Sequence, residues 1–270
     1  MINKINKLIE NIFSRLNYEI IDKHLLDKKN IDKIKKFLET PYLNKFYKKK
    51  ALKIPTNKKV LILAPHPDDE VLGCGGLLLS LIKNQCEINI FCLTSGQKNE
   101  QKLREKEFKS IWEKIKIKHY SFFRFKDNKL FKKIKDIKTV RNKIIDFKPD
   151  IILTPFILDD HIDHTNTNKI FIKSSKELIN TKIWSYQVYS SIFSNYYFDI
   201  TRIQKDKFQL MKKYKSQMFN FDYINWNRGL NAWSSRFANK KKIKFVENYY
   251  INNFENYSKI CKNYFSKKIK

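Results

Sequence analysis

The stretch Val60-Leu61-Ile62-Leu63-Ala64, followed at once by Pro65-His66-Pro67-Asp68-Asp69-Glu70 and then Val71-Leu72-Gly73-Cys74-Gly75-Gly76, decides the fold. Five apolar residues are too few for a helix and Pro65 ends the run, so the pattern predicts a buried strand that delivers a polar turn. The same arrangement recurs downstream. Ile88 to Thr94 is a second apolar run that closes on Ser95-Gly96, and Asp150-Ile151-Ile152-Leu153-Thr154 is a third, stopped by Pro155. Between them, Leu103 to Ile117 and Phe131 to Phe147 read as helices and His119 to Phe125 as a further strand. Strands alternating with helices imply right-handed crossovers and a mostly parallel sheet flanked by helices. In such sheets ligands bind at the carboxyl ends of the strands.

Two polar clusters fall just past predicted strand ends: His66 to Glu70 after the first strand, and His161-Ile162-Asp163-His164 after Pro155. Both would face one crevice. A histidine and a carboxylate three residues apart, joined by a distant histidine, supply the N and O ligands that Zn²⁺ accepts, leaving a position open for water. A metal so held lowers the pKa of its water and polarises a carbonyl, while a neighbouring carboxylate takes the proton. Asp68 and Asp69 point in different directions in an extended turn, so one can bind metal while the other acts as base. Taken alone, each cluster has a plainer reading: a solvated turn for His161 to His164, a helix-start cap for the acidic triplet. Together they hold three of only five histidines, which favours a shared metal site. The glycines after Glu70 fit neither G-x-G-x-x-G nor a P-loop, so close packing of the helix start on the sheet is their expected role.

Around this core, Met1 to about Thr56 is rich in lysine, lacks glycine, and carries Ile5, Leu8, Ile9, Ile12, Phe13 and Leu16 at helical spacing. It reads as an N-terminal helical extension (1–56) preceding a catalytic domain (57–270), able to cap the core or to make a peripheral membrane or protein contact. The net charge of +29 comes almost entirely from lysine spread along the chain, with few arginines. That distribution fits a compositional bias better than a selected nucleic-acid stripe, so no specific nucleic-acid partner is expected. Cys74, Cys86, Cys92 and Cys261 show no C-x-x-C spacing and read as small buried hydrophobes. No apolar run approaches a membrane span and the N-terminus lacks a signal-peptide core, which makes the cytoplasm the expected compartment.

Ala64 to Glu70 with Gly75-Gly76, and His161-x-Asp163-His164 later, resemble the LmbE/PIG-L family of zinc-dependent N-deacetylases. Thr94-Ser95-Gly96 resembles the family's turn after its second strand, and Arg104-x-x-Glu107 its following R-x-x-E helix. Lys207 to Gln217 is similar to its late K-x-x-A-x-x-x-Y/H-x-S-Q segment, with Leu210 in the alanine place, and Val246-Glu247 to a terminal acidic position. Members remove acetyl groups from N-acetylglucosamine-containing substrates, among them glycosylphosphatidylinositol precursors and precursors of the thiol cofactors mycothiol and bacillithiol. The resemblance implies a Rossmann-like α/β fold and a small-molecule N-acetylated amino-sugar substrate of N-acetylglucosamine type, with nucleotide-linked and lipid-linked forms among the candidates. It implies one Zn²⁺, or another divalent ion such as Fe²⁺, on His66, Asp69 and His164. It further implies Asp68 as general base, His161 as oxyanion partner or acid with Asp163 orienting it, and Arg104 as a substrate-binding residue. Two alternatives stay open: an amidase acting on another N-acyl substrate, and a basic binding module for nucleic acid or an anionic membrane surface.

Overall fold

A computed structural model describes residues 49–266 except 116, 118, 131–133, 175–177, 179, 220 and 239. The compact unit considered below lies within Asn44–Cys261. The expected N-terminal helices, and with them the peripheral contact assigned to them, fall almost wholly outside the described residues. From position 49 onward, Lys50–Ala51 forms a short strand, β1.

The alternation expected from the sequence is present. In chain order come β2 (Lys59–Ala64), α1 (Asp69–Lys83), β3 (Glu87–Cys92), α2 (Gln101–Trp112), β4 (His119–Phe122), α3 (Ile134–Phe147), β5 (Ile151–Pro155) and α4 (Ile162–Ser174). They are followed by β6 (Lys182–Tyr186), β7 (Tyr196–Asp199), α5 (Gln204–Met211), α6 (Tyr223–Ser234), β8 (Val246–Asn253) and α7 (Phe254–Phe265). All join one eight-stranded sheet in the order β1-β7-β8-β6-β5-β2-β3-β4. Strands β4, β3, β2, β5 and β6 run parallel, whereas β8 is antiparallel to both β6 and β7.

This order places the site. The chain leaves β2 towards β3 and β4, then returns to lay β5 on the other side of β2, with Val60 opposite Ile151 and Ile62 opposite Leu153. The loops after β2 and β5 therefore flank the point where strand order reverses, which is where open α/β sheets bind ligands. Both strands are fully buried over their apolar residues, as expected for strands covered on both faces.

Helix α1 must lie very close to the sheet. A Cβ at Gly73 would come within 2.1 Å of the Tyr186 ring, and one at Gly76 within 2.5 Å of Ile200. The expected packing role of these glycines is thus met, and the Tyr186 hydroxyl that Gly73 admits donates to the Leu63 carbonyl at 2.8 Å. Further on, α1 is tied to the distal half of the sheet by a buried ion pair. Lys207 Nζ donates to Glu247 Oε1 at 2.8 Å, to the Leu72 carbonyl at 2.9 Å and to Asn231 Oδ1 at 3.2 Å. Glu247 also accepts the N–H groups of Gly76 and Leu77. All four cysteines are buried and unbridged. No helix among the described residues is long and apolar enough to cross a membrane.

Candidate metal centre and its surroundings

The turn after β2 is held open by its own backbone bonds. Thr94 donates through N and Oγ1 to the Pro65 carbonyl, fixing the turn to the end of β3. Asp68 then takes a positive φ of 136°, a region that side chains with a Cβ rarely occupy and that costs on the order of 1–3 kcal/mol. Its N–H donates to Glu70 Oε2 at 3.0 Å, while its carbonyl accepts from Val71 and Leu72. Glu70 is itself held by the Trp112 indole at 2.9 Å and by the Tyr214 hydroxyl. The strained turn is thus over-determined from α1, α2 and the segment after α5.

That turn and the start of α4 bring the sequence-predicted residues together. His66 N–H donates to Asp69 Oδ2 at 2.9 Å, and His66 Nδ1 lies 3.1 Å from the same oxygen. Asp69 Oδ1 is thereby left facing His164 Nε2 at 3.3 Å. His164 is set by Asn168, whose amide donates to the carbonyls of Pro155 and His164 and so clamps α4 to the end of β5. The ring nitrogens of His66, His161 and His164 lie within 4.8 Å of one another.

Two carboxylates that the sequence did not single out complete the arrangement. Asp127, in the loop after β4, meets His66 Nε2 at 2.9 Å. Asp159, between β5 and α4, meets His164 Nδ1 at 2.7 Å and accepts the N–H groups of Val188 and Tyr189. Asp127 sits in the unpatterned segment after Arg124, and Asp159 precedes the H-x-D-H motif by two residues. Closeness to the end of β5 is the one sequence signal for Asp159, and Asp127 carries none.

Asp163 sits differently from its expected role. Its carboxylate accepts the N–H groups of Asn128 at 2.7 Å and Leu130 at 3.4 Å and lies 3.5 Å from His66 Nε2. It meets His161 through its backbone N–H, which donates to His161 Nδ1 at 3.1 Å. Because Nδ1 accepts, the ring proton of neutral His161 resides on Nε2, which makes that nitrogen a donor. Arg104 is buried and donates to Asp68 Oδ2 and the Pro67 carbonyl, both at 3.3 Å, with its Nε unpartnered among the described residues. Gly96, at φ +80°, lies under this guanidinium, where a Cβ would come within 2.7 Å.

The electrostatics call for a cation. Asp69, Asp127, Asp159 and Asp163 surround two imidazoles, and Arg104 is engaged by Asp68. Burial alone would lower the His66 pKa, but bonds to Asp127, Asp163 and Asp69 carry it well above the usual value. Burial likewise works against His164, and the charges of Asp69 and Asp159 raise it to about 9. Burial would raise Asp69, yet the charge of His164 and the charge and bonds of His66 hold it well below the carboxylate range. Asp68 is pushed up to about 7 by burial, opposed chiefly by Arg104. Burial and the neighbouring His66 and His164 keep His161 below the ordinary histidine value.

A divalent ion fits this donor set. Two ligands about 2.1 Å from a tetrahedral metal sit roughly 3.4 Å apart, close to the 3.3 Å between Asp69 Oδ1 and His164 Nε2. Both atoms are buried and neither makes a hydrogen bond, since their approach is short but off-angle. His164 Nδ1 is also off-angle to Asp159 despite the 2.7 Å separation, so that contact is one of charge. His164 thus presents Nε2 inward and has the Asp159 carboxylate behind Nδ1, as metal-binding histidines do, whereas His66 meets a carboxylate at both nitrogens, Asp69 at Nδ1 and Asp127 at Nε2.

Residues 61–175 match the family model PIG-L: GlcNAc-PI de-N-acetylase, a segment that contains both motifs. That segment resembles the PIG-L (LmbE-like) family. Among solved structures, the fold is similar to N,N'-diacetylchitobiose deacetylase from Pyrococcus horikoshii, with TM-score 0.62 and 20% identity, covering 87% of this chain and 95% of that one. It is equally similar to the 4-carboxy-2-hydroxymuconate hydratase GalB from Pseudomonas putida KT2440, with TM-score 0.63 and 12% identity, covering 72% of this chain and 95% of that one. At these identities the likeness is one of fold. A glucosamine-6-phosphate deaminase-like protein from Bacteroides thetaiotaomicron is 43% identical over 42 residues, which span 16% of this chain and 6% of that relative.

The motifs outside the site that resemble those of the family have structural roles. Glu107 of the R-x-x-E helix accepts Ser216 N at 2.9 Å and Ser216 Oγ at 2.6 Å, joining α2 to the late S-Q segment. Lys207 of that segment and Glu247 near the end are the buried pair that anchors α1.

Proposed function

We propose that the protein is a metal-dependent hydrolase that removes the N-acetyl group from an N-acetylated amino sugar. His66, Asp69 and His164 would hold one Zn²⁺ or a similar divalent ion such as Fe²⁺. The observation that carries this reading is the pair of buried atoms Asp69 Oδ1 and His164 Nε2, spaced as ligands without a hydrogen bond between them, with Asp159 behind His164 and His66 beside Asp69. Zinc bound there would supply a water of lowered pKa and polarise the amide carbonyl.

The chain's own residues divide the remaining work. Asp68, with a pKa near 7, is matched to taking a proton from water and returning it to the departing amine at neutral pH. Arg104 holds Asp68 in place, and as a buried guanidinium beside the site it is a candidate to meet a substrate oxygen. His161, with its proton on Nε2, is the donor for the carbonyl oxygen as negative charge develops on it. Asp163 positions the site twice over, through its backbone to His161 and through its carboxylate to the 128–130 loop and His66.

Acyl size is addressed by a small cavity of about 50 Å³ lined by Tyr189, Tyr223, Trp226, Leu72, Val188 and Leu230, among others. Tyr189 stacks on the His164 ring at 5.2 Å and 12°, so this cavity adjoins the metal site. A small apolar cavity of this kind can take an acetyl methyl, in keeping with deacetylation. The P. horikoshii relative is a deacetylase of an N-acetylated disaccharide, in keeping with a sugar substrate. The test is acetate release from N-acetylated amino sugars, abolished by a chelator and restored by Zn²⁺. Absence of release from any such sugar by zinc-loaded protein would overturn the reading.

A further inference from the structure

Apart from the small cavity beside Tyr189, the described residues form a groove of about 1170 Å³ on the β4 side of the site. It adjoins the catalytic residues at two places. Asp127 lines it and contacts His66 Nε2, and Gly96 lines it and lies under Arg104. Its volume exceeds the roughly 300–1,000 Å³ of an ordinary small-ligand pocket, so a single amino sugar leaves most of it unfilled.

The wall of this groove is strongly basic. Lys98, Lys126, Lys129 and Lys143 line it, contributed by the loop before α2, the loop after β4 and helix α3. None of the four is in an ion pair among the described residues. Arg124 also lines the groove, but both its bonds, at 2.8 Å, go to Glu105 and neutralise it. Among the described residues Asp127 is the lone carboxylate on the wall, and it is turned towards His66. Lysines are scattered over the whole chain, so their number is no argument. Their convergence from three segments on one concave wall is, because low-dielectric walls focus the field of like charges. The Phe122, Phe123 and Phe125 side chains supply that apolar floor.

We infer that the groove is an anion subsite that receives the part of the substrate beyond the amino sugar, and that this part carries phosphate. The inference rests on the deacetylase reading and adds to it the substrate class: an N-acetylated amino sugar esterified by phosphate. The phosphoryl oxygens meet the four ammonium groups, and whatever the phosphate bears, a nucleoside or a lipid chain, lies along the phenylalanine floor.

The test compares kcat/KM of the zinc-loaded full chain for N-acetylglucosamine, its 1-phosphate, its uridine diphosphate ester and its polyprenyl diphosphate ester in detergent. Wild type is set beside Lys126→Glu/Lys129→Glu and Lys143→Glu. At low salt the phosphate-bearing substrates are preferred by at least about tenfold, a preference that shrinks with salt and collapses in the charge-reversed variants. The two diphosphate esters show which source of phosphate is used. Equal kcat/KM for neutral and phosphorylated sugars, or variants that slow both classes alike, would overturn the anion subsite while leaving the deacetylase reading intact. If no sugar is deacetylated, the deacetylase reading falls, and calorimetric binding of the uridine diphosphate ester still tests the groove. Binding lost in Lys126→Glu/Lys129→Glu supports the subsite, and binding absent or unchanged in that variant refutes it.

Discussion

Replacing Lys207 with methionine tests whether the buried clamp sets the position of the site. Lys207 is fully buried and Glu247 nearly so, at 0% and 1% side-chain exposure. Methionine fills much of the same volume but leaves Glu247 as a buried charge with only the Gly76, Leu77 and Tyr249 donors. It also strips a donor from the Leu72 carbonyl and from Asn231. Removing one partner of a buried pair costs about 3–5 kcal/mol. For a domain of this size each kcal/mol lowers Tm by about 2–4 °C, giving a loss of about 6–20 °C by calorimetry. The Lys207→Met/Glu247→Gln double variant should lose much less than the sum of the two single ones, because the residues act as one unit. A single-variant loss under about 2 °C, or strict additivity, would refute the clamp.

Other perturbations address the site itself. Asp68→Asn should lower kcat by about 10²–10⁴-fold while zinc content by mass spectrometry stays unchanged, since the base is lost and the ligands are not. Asp159→Asn should weaken zinc binding by about 10–100-fold in a chelator competition, because it removes the charge behind His164. The metal-free protein should lose thermal stability as pH rises from about 5 to 9. Asp68 and Glu70 are each raised to about 7 in the folded state, so ionising them above their unfolded values of about 4 opposes folding. The stability that His164 gains is complete below its unfolded pKa near 6.5 and disappears as pH passes about 9. Asp69, held low, contributes throughout this window, while His161, held below its usual value, and Lys49, lowered to about 8 by burial, oppose the trend without outweighing the three groups that drive it. Zinc-loaded protein should show a flatter profile, because metal replaces the histidine protons.

The parallel half of the sheet was legible because its strands are short apolar runs ended by proline or Ser-Gly, and each lies at a crossover. The distal half was not. β6, β7 and β8 are written in tyrosine, tryptophan and asparagine, and β6 to β7 reads as an aromatic segment without period. Residues such as Trp184 are core residues, whereas Tyr189 in the same stretch stacks on His164. The histidines and Asp68-Asp69 were legible because they sit at strand ends with metal-ligand spacing. Asp127 and Asp159 were hidden because each acts through one tertiary contact to a histidine and carries no local pattern. The carboxylate of Asp163 turns away from His161 because α4 begins at Ile162 and its first turn directs that side chain to the 128–130 backbone.

The central claim is the metal centre, and zinc stoichiometry by equilibrium dialysis tests it most directly. One tightly bound zinc per chain is expected for the wild type, reduced to background in His66→Ala, Asp69→Ala and His164→Ala and retained in Lys143→Glu. A wild-type chain that binds no divalent metal, or ligand variants that keep their zinc, would contradict the account.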